Sequence, residues 1–289
     1  MLKLKQQNHH DEADMAYESK KHDKELSSKD KSIKMYTFDL QQCLPTPHLN
    51  AAMFFYKRPL WTFNFTMHDG ATNRANCYIC PGQNRNSYIF AMFEKVLEDH
   101  QTIELIDHKF LVVGHTHMEC DTVHSQIEKK KKKFVNSIHH PHDWATLIVT
   151  TNHKYNAIEM VQDQYFDFGS LLKNKYTWRN TNTLGDKFEW KLIRWMRYEK
   201  SKSGILQYKL SLQPDEDFKE LDITQQRRKI TNFELKKCYS APLPISCNKK
   251  PDLQSVLPFI NAEFHNFYNN LHVEGEEQLE DDWDIDEYD

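Results

Sequence analysis

Glycine is scarce, with seven in 289 residues. Together with a mean hydropathy of −0.79 this points to polar helices and solvated stretches. No run of eighteen apolar residues occurs, which excludes a membrane-spanning helix. The opening MLKLKQQNHH lacks the apolar stretch of a secretory signal, so the expectation is an intracellular protein with no membrane partner. The six cysteines, Cys43, Cys77, Cys80, Cys120, Cys238 and Cys247, have no framework spacing, which argues against a disulfide scaffold and for free thiols. Cys77 and Cys80 form half of a zinc motif with no second pair in range, and are read as two thiols. No internal repeat is present.

What is there suffices for a folded core. The chain has room for one large domain or two modest ones, and 39% hydrophobic with 28% charged residues permits globular folding. The net charge of −4 hides an asymmetry, because residues 274–289 carry ten carboxylates and no lysine or arginine. Without them the remainder stands at +6, a weak indication of a phosphate-bearing partner such as DNA.

The pattern along the chain predicts α/β organisation, with α+β as the alternative. Residues 1–34 form a charged helix or arm, either solvated or docked on a partner. From residue 35 the texture becomes aromatic and β-branched: YTFDL and MFFYKRPLWTFNFTM read as strands, residues 69–83 as a turn-rich connection, SYIFAMFEKVLED as a helix and IELIDHKFLVV as a strand. A second helix follows GHTHMECD and runs to Lys133. The core is expected over 35–144 and a β-rich unit over 145–272, with strands in 155–160, 188–198 and 204–212. A charged connector at 215–228, a short helix at 251–260, a docking segment at 264–268 and a disordered acidic tail over 273–289 complete the prediction.

Asp39 stands in an apolar strand, where a carboxylate is costly to bury unless a cation or donor compensates it. It is a candidate metal ligand, although an aspartate that turns the chain before Pro45 fits equally well. On the second helix Asp121, His124, Ser125 and Glu128 share one face by their spacing. Asp39 with Asp121 or Glu128 would suit Mg²⁺-dependent phosphodiester cleavage, since Mg²⁺ takes a few carboxylates plus water. His115 and His117 suggest zinc only weakly, and a hydrogen-bonding role serves them as well. Lys129, Lys130, Lys131, Lys132 and Lys133 read first as a solvated helix end and second as a phosphate contact. Arg194 and Arg197 interleave with Trp190, Trp195 and Tyr198, a pattern shared by a half-buried strand and a nucleic-acid clamp.

Taken in order, YTFDLQQCLPTP, PGQNRNSY, GHTHMECD with IEKKKKK, HHPHDW, and the late LPIS, DLQSVLPFI and FHNFY resemble an uncharacterised domain family abundant in animal transposon-derived proteins. The resemblance runs over residues 13–271. It implies a ribonuclease-H-like transposase or integrase core with an acidic triad, a first metal-binding aspartate at Asp39 and a later one at Asp121, with Gln83 and Asn84 lining the site. The sequence departs from that pattern in one place that matters. The family places an aspartate two residues before the cysteine that matches Cys80; here Tyr78 stands there, and strands expected between Met67 and Cys77 are missing. An upstream Cys/His zinc region of the family is also missing.

Mg²⁺ does not accept a phenol in place of a carboxylate. The expectation is therefore a shortened, catalytically defective, nuclear transposase-like protein with a remnant Mg²⁺ site. The competing reading is a nucleic-acid-binding or protein-interaction module without chemistry.

Overall fold

A computed structural model describes residues 2–41, 43–49, 56–79, 87–112, 117–134, 137–225 and 233–274, with backbone alone over 2–9. In chain order the elements are α1 (Leu2–Lys29), β1 (Tyr36–Leu40), β2 (Leu44–Thr46), β3 (Leu60–Thr62), β4 (Asn64–Asp69), β5 (Arg74–Ile79), α2 (Ser87–Asp99), β6 (Leu105–Lys109), α3 (Glu119–Lys133), α4 (Pro141–Thr151), β7 (Tyr155–Glu159), α5 (Phe168–Lys175), β8 (Trp195–Glu199), β9 (Ile205–Lys209), β10 (Lys219–Asp222), α6 (Lys249–Ser255) and α7 (His265–Asn269). The architecture is mixed α/β, as the pattern predicts. Among the described residues no helix is long and apolar enough to cross a membrane.

Two four-stranded sheets organise the chain. The first has the order β1-β4-β5-β7, with β4 antiparallel to both β1 and β5, and β7 parallel to β5. The turn between β4 and β5 is held by Asp69, whose Oδ1 accepts from the backbone N–H of Ala71 and Thr72 at 2.8 and 3.2 Å. Asn73 there adopts φ 57°, a left-handed conformation that asparagine tolerates. Successive strand residues face opposite sides, so Thr37, Asp39 and Gln41 share one face with their register neighbours His68, Thr66 and Asn64. That face lies under α3, which inserts Cys120, Val123 and Ile127 at i, i+3 and i+7. Farther along the sheet α4 covers β5 and β7 with Trp144, Leu147 and Ile148, packed on Leu44, Ile138 and Tyr155.

The second sheet, β10-β9-β8-β6, is antiparallel throughout. One face packs on α2 and α5 through Phe90, Leu97, Leu171, Tyr198 and Leu206. The opposite face takes α1, whose Ala13 and Ala16 pack with Val112, Trp195 and Leu212. Polar ties fix the same helix: Asp23 accepts from Lys109 Nζ at 2.7 and 2.9 Å, and Lys24 Nζ reaches Glu119 at 2.9 Å. The charged N-terminal segment is thus docked on its own chain. A last cluster, Leu253, Val256, Ile260 and Tyr268, docks α6 and α7 near His139 and His140, on which Phe264 stacks.

Several expectations need correction. The connection predicted over 69–83 contains β5, which is held as a strand because β4 and β7 pair with it on both sides. The boundary expected at residue 144 does not separate the sheets, since β7 joins the first and β6 the second. Within 188–198 only Trp195 onward is strand, preceded by a 3₁₀ turn at Trp190–Leu192. The connector at 215–228 holds β10, pinned by its ladder to β9. The acidic stretch from residue 275 onward lies outside the described residues.

The turn between β8 and β9 depends on Gly204, at φ 82°, where an added Cβ would stand 2.8 Å from Thr224 Cγ2. Gly204→Ala is expected to destabilise the fold by about 1–3 kcal/mol through backbone strain. Urea unfolding checks this, and an unchanged midpoint would show that the turn relaxes freely.

Candidate metal centre

The site forms where α3 crosses β1. The two elements run side by side in the same direction, as three contacts show. Cys120 Sγ lies 3.3 Å from Thr37 O; Asp39 groups with Asp121 and His124; and Gln41 Nε2 donates to Glu128 Oε1 at 3.1 Å. Four strand residues at roughly 3.3 Å each and eight helical ones at roughly 1.5 Å each cover the same ~12–13 Å. This matching of rise brings residues 82 positions apart in sequence onto one spot.

Asp39, Asp121 and His124 each offer a ligand atom, and these atoms lie within 4.8 Å of one another. Burial pushes the Asp39 carboxyl above its ordinary range, and the nearby Asp121 carboxylate pushes it the same way, against a backbone hydrogen bond from Leu40. One oxygen of Asp121 accepts the Met118 N–H at 2.7 Å and caps α3. That bond explains the residue structurally but uses one oxygen only. Burial drives the His124 imidazole down to about 4, against the pull of Asp121 and Glu128, so the ring is neutral at physiological pH. Its Nε2 is buried and has no hydrogen-bond partner among the described residues.

Other candidates are placed elsewhere or committed to other partners. Glu128 does not join the group: seven residues beyond Asp121 it lies ~10 Å along the helix, and its oxygens take Gln41 Nε2 at 3.1 Å and Lys131 Nζ at 2.5 Å. His117 is largely exposed, with Nδ1 3.7 Å from Asp121 Oδ2. Gln83, Asn84 and His115 lie outside the described residues. Tyr78 is on β5, where its register neighbour on β4 is Phe65, and its ring packs 6.4 Å from that of Phe65. Its side chain is therefore on the opposite face of the sheet from Asp39.

The expected nucleic-acid contacts divide. Arg197 makes a two-pronged pair with Asp107 at 2.7 and 2.8 Å, and Arg194 sits 3.5 Å from Glu12. Both are engaged within the chain, as is Lys131. Lys129, Lys132 and Lys133 are exposed, and the basic last turn of α3 also suits the negative end of the helix dipole.

The thiols nearby are unreactive. Burial pushes Cys77 up to about 11 and Cys120 up to about 12, so neither supplies a thiolate at neutral pH.

A family model spans β5 to β9. Residues 76–209 match the model of a domain of unknown function, DUF7869. The DUF7869 match includes Asp121 and His124 and leaves out β1 with Asp39. No curated protein and no solved structure matches the chain.

Of the three grouped side chains, His124 is the one that sequence reasoning did not nominate as a ligand. Its signal was the three-residue spacing from Asp121, which places both on one helix face.

Proposed function

We propose that the chain is a degenerate transposase- or integrase-like protein, of transposon origin and acting in the nucleus, whose ribonuclease-H-like core keeps two members of a divalent-cation site. The observation that carries this reading is the convergence of Asp39 and Asp121, from a strand and a distant helix, at one point beside the edge of the first sheet. β1 ends the first sheet, with no strand on its other side among the described residues.

Phosphodiester cleavage by this class needs enough carboxylates to hold Mg²⁺ and stabilise both the attacking and leaving oxygens. Here two carboxylates converge, and Glu128 is held away by Gln41 and Lys131. The expected outcome is no Mg²⁺-dependent strand cleavage by the purified protein. Tyr78→Asp should not restore it, because that side chain faces away from the site. A supercoiled-plasmid nicking assay of both proteins checks this; nicking by the wild type would overturn the defective-enzyme reading.

A non-catalytic nucleic-acid-binding role is the second reading, favoured by the exposed Lys129, Lys132 and Lys133 at the end of α3. DNA affinity should then fall with salt and rise when residues 274–289 are removed. Salt-independent or undetectable binding by both proteins would count against it.

A further inference from the structure

The donor set at the site is not one that Mg²⁺ favours. Mg²⁺ requires near-ideal octahedral oxygen coordination and keeps several waters, whereas imidazole nitrogen suits zinc and its neighbours. We propose that Asp39, Asp121 and His124 form a three-ligand site for Zn²⁺, with His124 Nε2 as the nitrogen donor. The inference rests on the cation-site reading above and changes the ion that the site takes.

Three observations support it. His124 Nε2 is a buried polar atom without a hydrogen-bond partner among the described residues, which leaves its lone pair available to an ion. The two carboxylates beside it bring negative charge into a half-buried place where no lysine or arginine pairs with Asp39 or Asp121 among the described residues. Three protein ligands with a fourth position left for water is the pattern of an open zinc site. Tetrahedral ligands at ~2.0–2.1 Å from zinc stand roughly 3.4 Å apart, and donors within 4.8 Å of one another lie close to that spacing. The second oxygen of Asp121 can ligate while the first keeps its bond to Met118 N–H.

Binding of ZnCl₂ and of MgCl₂ to the full chain by calorimetry, with x-ray absorption at the zinc edge, tests the inference. One Zn²⁺ per chain is expected, at least 100-fold tighter than Mg²⁺, with nitrogen and oxygen scatterers near 2.0 Å and no sulfur near 2.3 Å. His124→Ala and Asp39→Asn should each weaken zinc at least tenfold. His124→Gln serves as a second variant, and melting curves in chelator verify that all three remain folded. If Mg²⁺ binds as tightly as zinc and His124→Ala leaves binding unchanged, the zinc assignment falls while the cation-site reading stands. If neither ion binds, both fall. Sulfur in the zinc shell would place the ion on cysteines and overturn the assignment.

Discussion

Replacing Glu94 by alanine is expected to destabilise the protein by about 3–5 kcal/mol, from buried donors left without an acceptor. Glu94 is buried on α2, 3% exposed, and its Oε2 accepts from Ser203 Oγ at 2.9 Å, the Gly204 N–H at 3.0 Å and Tyr176 OH at 3.2 Å. One carboxylate oxygen therefore ties the β8–β9 turn and α5 to α2. Glu94→Gln keeps the shape and an acceptor, and should change stability by about 1 kcal/mol or less.

The pair also separates in pH. Burial pushes the Glu94 carboxyl above the ordinary 4.5, against its three hydrogen bonds. A group whose folded value is raised contributes stability that is full below the unfolded value and is lost as pH rises through the folded one. The wild type should therefore lose stability relative to Glu94→Gln as pH rises above the ordinary carboxylate range. Urea midpoints across that rise check the sign. Parallel curves would mean that the carboxyl ionises as freely in the fold as in the unfolded chain.

Trp144→Ala should also lose about 3–5 kcal/mol, the range for emptying a buried large aromatic site. Trp144 is fully buried on α4, and its Nε1 donates to Thr46 Oγ1 at 3.0 Å, which also bonds Thr62 Oγ1 at 2.8 Å. The indole thus joins α4 to the β2–β3 hairpin beneath it. Trp144→Phe keeps most of the contact and gives up the hydrogen bond, so it should lose about 1–2 kcal/mol. Equal effects of the two variants in denaturant unfolding would show that the hydrogen bond, and not the packed volume, holds this corner.

How much of this was legible in the sequence depended on whether an element carries its own signal. YTFDL, SYIFAMFEKVLED and the helix after GHTHMECD declare themselves by aromatic or helical patterning, and β1, α2 and α3 lie there. RANCYI does not, because arginine, alanine, asparagine and cysteine have little strand preference; it is a strand only because neighbours on both sides complete its ladder. PHDWATLIVTT carries a mixed signal. Its β-branched end resembles a strand, while Pro141 in the first turn, the Asp143 carboxylate on the His139 and His140 N–H groups, and buried Trp144, Leu147 and Ile148 make it α4.

The site follows the same logic. The residue types at Asp39 and Asp121 suggested a cation, and helix periodicity grouped Asp121, His124 and Glu128. Only the parallel run of β1 along α3 decides that His124 faces Asp39 while Glu128 falls level with Gln41. Such an alignment is a tertiary property, and neither segment encodes it alone.

The most direct test is a crystal of the full chain grown with ZnCl₂ and measured on both sides of the zinc absorption edge. One strong anomalous peak is expected ~2.0–2.2 Å from a carboxylate oxygen of Asp39, a carboxylate oxygen of Asp121 and Nε2 of His124. An anomalous map empty at that point, or Asp39 and Asp121 turned into separate regions, would contradict it.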